Sequence, residues 1–383
     1  MKASRQLRLS SRRAKLAALA ALVAALVSLV SLTGSWSLVD LRAYDYLSIL
    51  GRPSLPEDGP VIVAIDEPSM AEIGSQWPWP RALHARLIQS LRAAGARAVA
   101  LDVIFAEPAA APENDRALAE VLGPDVVLAG DETLIRTPQA EQFVRTEPLP
   151  VFLERGAKVG VASVTLSGDG ILRQIPSYSD GFATTIASVA GADLARPPGR
   201  ALMQTFGPAR TYPTVSYYQA LDPEAFLPEG TFRDRIVIVG LSLQNAPSIA
   251  GGGIDAFATS DTVFSRGRVA GAEIHATIYD NLVHRLFVEQ AGVTVAIAAI
   301  ILATLAASLA VLRSTSWKTL GYGALALASI FLASYALMRL GHVFVSPLAP
   351  ALAFVGVAVG QAGLDYAEER RRRREITRAF SQY

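Results

Sequence analysis

Long uncharged apolar runs lie at the two ends of this chain, and short apolar strands alternating with helical repeats lie between them. Residues 16–33 open with LAALAALVAALVSLVSL, and 291–312, 319–340 and 343–363 are similarly apolar. Each is long enough for a helix to cross about 30 Å of hydrocarbon. Between them the pattern shortens. VIVAI (61–65), AVALDVIF (98–105), VVLAG (126–130) and RIVIVG (235–240) are β-branched runs, while HARLIQSLRAAG (84–95) and DRALAEVLG (115–123) have helical spacing. Continuous apolar strands separated by helices predict an α/β domain, its mostly parallel central sheet covered by helices on both faces. Inserted strands are expected in the less periodic stretch 131–234, with a hairpin over 159–178 and a helix near 183–195.

Charge orients this arrangement. Residues 1–15 hold Lys2, Arg5, Arg8, Arg12, Arg13 and Lys15 and no acid; Arg313, Trp317 and Lys318 follow the second run, and Arg370 to Arg374 follow the last. Positive flanks stay in the cytoplasm, so one threading of four transmembrane helices keeps both termini inside a bacterial inner membrane and the 34–290 domain in the periplasm. The first run is longer than the usual signal-peptide core of about 7–15 residues and lacks an A-x-A site, which predicts an uncleaved anchor. The net charge of +1 hides a strongly acidic 34–290 domain balanced by a basic remainder. The near balance of 35 Lys+Arg against 34 Asp+Glu argues against a nucleic-acid partner.

Composition narrows the chemistry. Hydrophobic residues make up 51% and charged residues 18%, below the roughly 25% of a soluble domain, and the mean hydropathy is +0.33. The absence of cysteine excludes disulfides, thiolate nucleophiles and Cys-ligated metals. His84, His275, His284 and His342 are scattered without metal-ligand spacing, no G-x-S-x-G or H-E-x-x-H occurs, and GGG (251–253) lacks the context of a phosphate loop. No catalytic residue and no metal site is assigned.

Two acids stand at strand ends, where open α/β sheets bind ligands. Asp66 closes VIVAID and Asp102 lies within ALDVIF. On adjacent parallel strands they would face one crevice and hold a cation; the commoner alternative is that each caps a turn or pairs with a cation such as Arg81. WPWPR (77–81) places Trp77 and Trp79 on a stiff loop, either as a pocket wall or as a seal over the core. SGDGILRQ (167–174) reads as a turn with Asp169 and Gly170 at its tip.

The string VIVAIDEPSMAEIGSQWPWPRALHARLIQSLRAAGARAVALDVIF (61–105) resembles the opening of the type-2 CHASE domain, a sensory extracellular module of bacterial receptors. RIVIVG (235–240), IDAFAT (254–259) and GAEIHATIYDNLV (271–283) are similar to its later pieces. The resemblance implies periplasmic sensing of an unknown ligand or protein coupled to a cytoplasmic output, commonly a class III adenylate cyclase or a kinase. EERRRRREITRAFSQY (368–383) resembles the linker into such a cyclase, and Ile376, Phe380 and Tyr383 share one helical face. A cyclase domain would begin beyond Tyr383, so Mg2+ and ATP are implied only for that part, and this chain itself needs no cofactor. Class III cyclases assemble active sites between subunits, which makes a homodimer the expected state. Glu273 and His275, just before the second span, are the candidates for passing the signal on. The competing readings are a membrane-anchored, metal-dependent periplasmic hydrolase or phosphatase using Asp66 and Asp102, and a stand-alone sensor acting on a separate kinase. Transport is disfavoured, because Asp, Glu, Lys and Arg are missing from the span interiors.

Overall fold

The computed structural model describes residues 2–137, 139–197, 199–243, 255–265, 267–313 and 318–380. Its contacts divide it into two compact units, Ser48–Val288 and Met1–Leu47 with Glu289–Tyr383. In chain order α1 (Lys2–Ser31) and α2 (Gly34–Leu50) precede β1 (Val61–Ile65), α3 (Glu67–Ile73), α4 (Arg81–Ala93) and β2 (Ala98–Leu101). Next come α5 (Pro112–Val121), β3 (Val126–Arg136), β4 (Glu141–Thr146), α6 (Pro150–Leu153), β5 (Lys158–Val161), β6 (Ile171–Leu172) and α7 (Phe182–Val189). The domain continues through β7 (Ala201–Leu202), β8 (Thr214–Ser216), α8 (Tyr217–Leu221), α9 (Pro223–Phe226), β9 (Ile236–Leu241), β10 (Ala256–Thr259), β11 (Val269–Ala270) and α10 (Gly271–Val283). The chain closes with β12 (Val288–Gln290), α11 (Val293–Arg313), α12 (Lys318–Gly341), β13 (Val343–Phe344) and α13 (Leu348–Phe380).

The central sheet has the order β4-β3-β2-β9-β1-β8, with β5 also on β3. It is a mixed sheet: β3 and β4 pair antiparallel, and the other neighbours run parallel. The strand residues alternate between two cores, as a period of two demands. Ile62, Ala98, Ala100, Val127, Ile236 and Ile238 pack toward α7 and α10. Val61, Val63, Val99, Leu101, Val126, Val237 and Val239 pack toward α4, α5 and α8. Burial on both faces is why these strands read as unbroken apolar runs rather than alternating ones. Each such side chain contributes about 1.5–3 kcal/mol relative to exposure.

Several sequence expectations change here. Strand β2 stops at Leu101, so Asp102 follows the strand instead of lying within it. The stretch 159–178 is not a hairpin, because β5 pairs with β3 whereas β6 pairs with β10. The hairpin of this region is β3–β4, which extends β3 well past residue 130. The turn at Gly170 has a positive φ of 77°, and Asp169 grips the buried Arg173 through two bonds of 2.8 and 2.9 Å. The GGG segment lies outside the described residues.

In the second unit four helices are long and apolar enough to cross a membrane: Arg12–Ser31, Val293–Leu312, Gly321–Gly341 and Leu348–Arg378. Residues 34–47, which the sequence places with the domain, form most of α2 and group with these helices. The last apolar helix starts at Leu348 rather than 343, because Val343 and Phe344 pair with Glu289 and Gln290 as a short parallel ladder. Small and branched side chains line the helix contacts, Leu16 and Ala20 packing with Ala303, Ala307, Phe354 and Val357. Such residues allow close backbone approach where no hydrophobic drive separates helix from lipid. Arg12 bonds Asp365 at 3.2 Å and Lys15 bonds Glu368, so the start of α1 lies beside the polar extension of α13.

Candidate functional site

A cavity of about 890 Å³ opens at the carboxyl ends of β2, β5 and β9 and beside the second half of β3. Asp102, Val103 and Ile104 enter it from β2, Gly130 to Leu134 from β3, Ala162 to Leu166 after β5, and Leu241 from β9. Trp77, Phe143, Tyr178, Phe257, Asp255 and His275 complete the wall. Parallel strands expose their last carbonyls and the following loops at this edge, which is where α/β sheets hold ligands.

The strand ends bring two carboxyls together that the sequence keeps far apart. Asp102 is anchored by its own amide, which donates to the Val239 carbonyl at 2.8 Å. Asp255 precedes β10, and its carbonyl accepts from Gly271 N at 2.9 Å at the start of α10. A side chain at Gly271 would collide with the Asp255 carboxylate, and one at Gly240 would meet Ala272 at 2.9 Å and Asp102 at 3.2 Å. Glycine at these two positions thus lets α10 and β9 close on the acidic pair. The positive end of the α10 dipole favours a carboxylate such as Asp255 there.

Asp102 and Asp255 lie within hydrogen-bonding reach of each other, and burial pushes each carboxyl up to about 7. The neighbouring Asp102 charge raises Asp255 further, while His275 opposes the rise. Asp102 Oδ2 finds no donor among the described residues. A proton held by the pair lowers the cost of burying two adjacent carboxyls. His275 comes from α10, with Nε2 3.9 Å from Asp102 Oδ1, beyond hydrogen-bond length, and with its ring edge-on to Phe182 at 4.9 Å. Burial lowers its pKa to about 4. At neutral pH the imidazole is uncharged and the carboxyl pair carries about one negative charge.

The other predicted residues are placed differently. Strand β9 lies between β1 and β2, so Asp66 and Asp102 are not on adjacent strands. Asp66 caps α3: it accepts from Ser69 N at 3.0 Å and Ser69 Oγ at 2.5 Å, and from Ser216 Oγ at 2.6 Å. Those bonds occupy both of its oxygens. Trp77 lines the cavity, but Trp79 is buried in the core against Tyr217, its Nε1 bonded to the Ser75 carbonyl at 3.1 Å. Arg81 pairs with Asp115 and lies over the Phe105 and Phe152 rings at 5.3 and 5.5 Å. Glu273 is buried and accepts backbone amides from Arg210, Thr211 and Tyr212 at 2.8, 2.9 and 3.4 Å. It therefore clamps a loop, and burial raises its pKa against those three donors. Ile376 is exposed on α13, Phe380 is that helix's last residue, and Tyr383 lies outside the described residues.

Sequence reasoning missed Asp255, Asp131, Glu132, Phe143, Tyr178 and Phe257. Only the acid ahead of the short AFAT strand carried a local signal, a carboxylate at a strand boundary. Among the described residues no group of three or more His, Asp or Glu side chains is disposed to hold a metal ion.

The chain thus combines an α/β domain that has a cavity at its strand ends with four helices long and apolar enough to cross a membrane. The family model for the CHASE2 domain, a sensory domain, matches residues 19–312, and the chain belongs to that family. Neither a curated protein nor a solved structure matches it.

Proposed function

We propose that this chain is a receptor module that binds a periplasmic ligand in the strand-end cavity and relays its occupancy through the membrane helices to a cytoplasmic output. The observation that carries the reading is the cavity itself, with the adjacent Asp102 and Asp255 carboxyls at its wall. Structural carboxylates are normally satisfied by donors, as Asp66 is here. Asp102 Oδ2 has no such donor among the described residues, and its carboxyl is paired instead with that of Asp255 at the cavity wall.

The orientation follows from the basic segments 2–15 and 370–374, both expected on the cytoplasmic side. The Arg12–Asp365 and Lys15–Glu368 pairs support a common side for both. Helix α13 is continuous over 33 residues, about 50 Å at 1.5 Å per residue. It exceeds the hydrocarbon thickness of about 30 Å and needs no flexible joint to reach the cytoplasm. The resemblance of its end to a cyclase linker favours a class III adenylate cyclase as output, working as a homodimer, with ATP and Mg2+ belonging to that output.

The test joins the full chain to a class III cyclase catalytic domain in cells lacking their own cyclase and measures cyclic AMP. Trp77→Ala and Asp102→Asn should each change output several-fold at equal membrane content, whereas the exposed Glu229→Gln should not. Constant output across all cavity variants would refute the receptor reading.

A further inference from the structure

Taking the cavity as the sensory site, we infer that its ligand is an organic ammonium cation with an apolar body. Four acidic residues reach the lining, Asp102, Asp131, Glu132 and Asp255, and among the described lining residues there is neither lysine nor arginine. Asp102 lines the cavity with its side chain nine-tenths buried, and its Oδ2 has no donor among the described residues. An ammonium group supplies the donor and the charge together.

The walls select among cations. Trp77, Phe143, Tyr178 and Phe257 line the same cavity, and aromatic faces attract an ammonium or its adjoining carbons. The volume of about 890 Å³ is well beyond that of a bare ion and lies in the range of small organic ligands, about 300–1,000 Å³. A divalent metal wants six or more oxygens at close range, and here Asp131 is occupied by Ser163 Oγ and Thr133 Oγ1, each at 2.6 Å. Anions are repelled. The Tyr178 hydroxyl reports that field, its pKa raised by burial and then by Glu132, Asp131 and Asp180. Arg145, opposite Glu132 in the β3–β4 ladder, is held by Asp180 and Glu147 and does not line the cavity.

Proton linkage supplies a signature. The groups facing Asp102 and Asp255 are His275 from α10, neutral above about 4, with Asp131 and Glu132 from β3. Since burial leaves the pair holding a proton up to about 7, an entering cation drives that proton out. Affinity then rises with pH through neutrality, and binding releases a proton.

The full chain in detergent is titrated calorimetrically with 2-phenylethylammonium, with 3-phenylpropionate as an anion of similar size, and with Ca2+. The ammonium should bind and the anion should not. Affinity should rise between pH 6 and 8, with proton release detected by comparing buffers of different ionisation enthalpy. Asp102→Asn and Asp255→Asn, which keep shape and remove charge, should weaken binding at least tenfold, and Trp77→Leu several-fold, with melting curves confirming that each variant is folded. Equal binding of the anion, binding of Ca2+ alone, no binding of the ammonium, or full affinity in folded Asp102→Asn would each overturn the cation assignment. Cation binding with cyclic AMP output unchanged would instead defeat the sensory reading and leave the cation site standing.

Discussion

Asp102, Asp255 and His275 pull stability in opposite directions with pH. A carboxyl whose folded pKa is raised to about 7 binds its proton more tightly in the folded state than in the unfolded one. Its stabilising protonation is complete near pH 4 and is lost as pH rises toward and past 7. His275, lowered from 6.5 to about 4, does the reverse: its contribution is full above 6.5 and is lost as pH falls through 4. Asp102→Asn removes the cost of an ionised buried carboxyl, so it should stabilise the ligand-free protein by about 2 kcal/mol at pH 8 and by little at pH 5. Thermal melts of the two proteins at both pH values check this; equal melting temperatures at pH 8 would show that the pair is solvated or otherwise paired. His84 is likewise held neutral by burial, with its Nδ1 2.9 Å from the Tyr217 hydroxyl. The same residue type thus has a structural role on α4 and a place at the cavity on α10. No feature of the sequence around either histidine separates the two cases.

At the scale of elements, α10 and α13 are the informative helices. From Gly271 through Leu282 every residue of α10 is buried, although Glu273, His275, Thr277, Asp280 and Asn281 are polar. The local pattern reads only as a helix with mixed faces. Its total burial comes from the sheet beneath it and the loops over it: Glu273 holds the 210–212 amides, Asn281 bonds Gln204 N at 2.9 Å and its carbonyl at 2.8 Å, and Asp280 accepts from the Tyr212 hydroxyl at 2.7 Å. Helix α13 carries its charges in its exposed second half, as sequence alone suggests. Its continuity has a mechanical consequence for the proposed relay. Each residue inserted after Arg374 rotates the output domain by about 100° relative to the membrane helices and advances it by 1.5 Å. Cyclic AMP output of the cyclase fusion should therefore fall with insertions of one or two alanines and recover with four, whereas a Gly-Gly-Ser insertion should uncouple it. Output indifferent to insertion length would exclude a rigid relay through α13.

For the whole molecule, the absence of cysteine makes single-cysteine labelling a clean test of the proposed orientation. Glu113 is exposed on α5 and Glu375 is exposed near the end of α13. In spheroplasts a membrane-impermeant maleimide should label Glu113→Cys at once and Glu375→Cys only after lysis; the opposite pattern would invert the topology. The apolar helices and buried strands were legible from residue order, because apolar length and composition are local properties and a strand buried on both faces has no polar position to hide it. Sheet order was not legible. Strand β9 enters between β1 and β2 after a long excursion, and that single choice separates Asp66 from Asp102. The short β10 and the start of α10 then bring Asp255 and His275 to Asp102, through contacts that depend on glycine at 240 and 271. By itself the sequence determined the classes of element, the apolar spans and the division between acidic domain and basic flanks, each of which follows from composition over a short window. Only the tertiary structure decided which carboxylate is spent on a cap and which is left facing a cavity, because that depends on which distant donors the fold brings within about 3 Å.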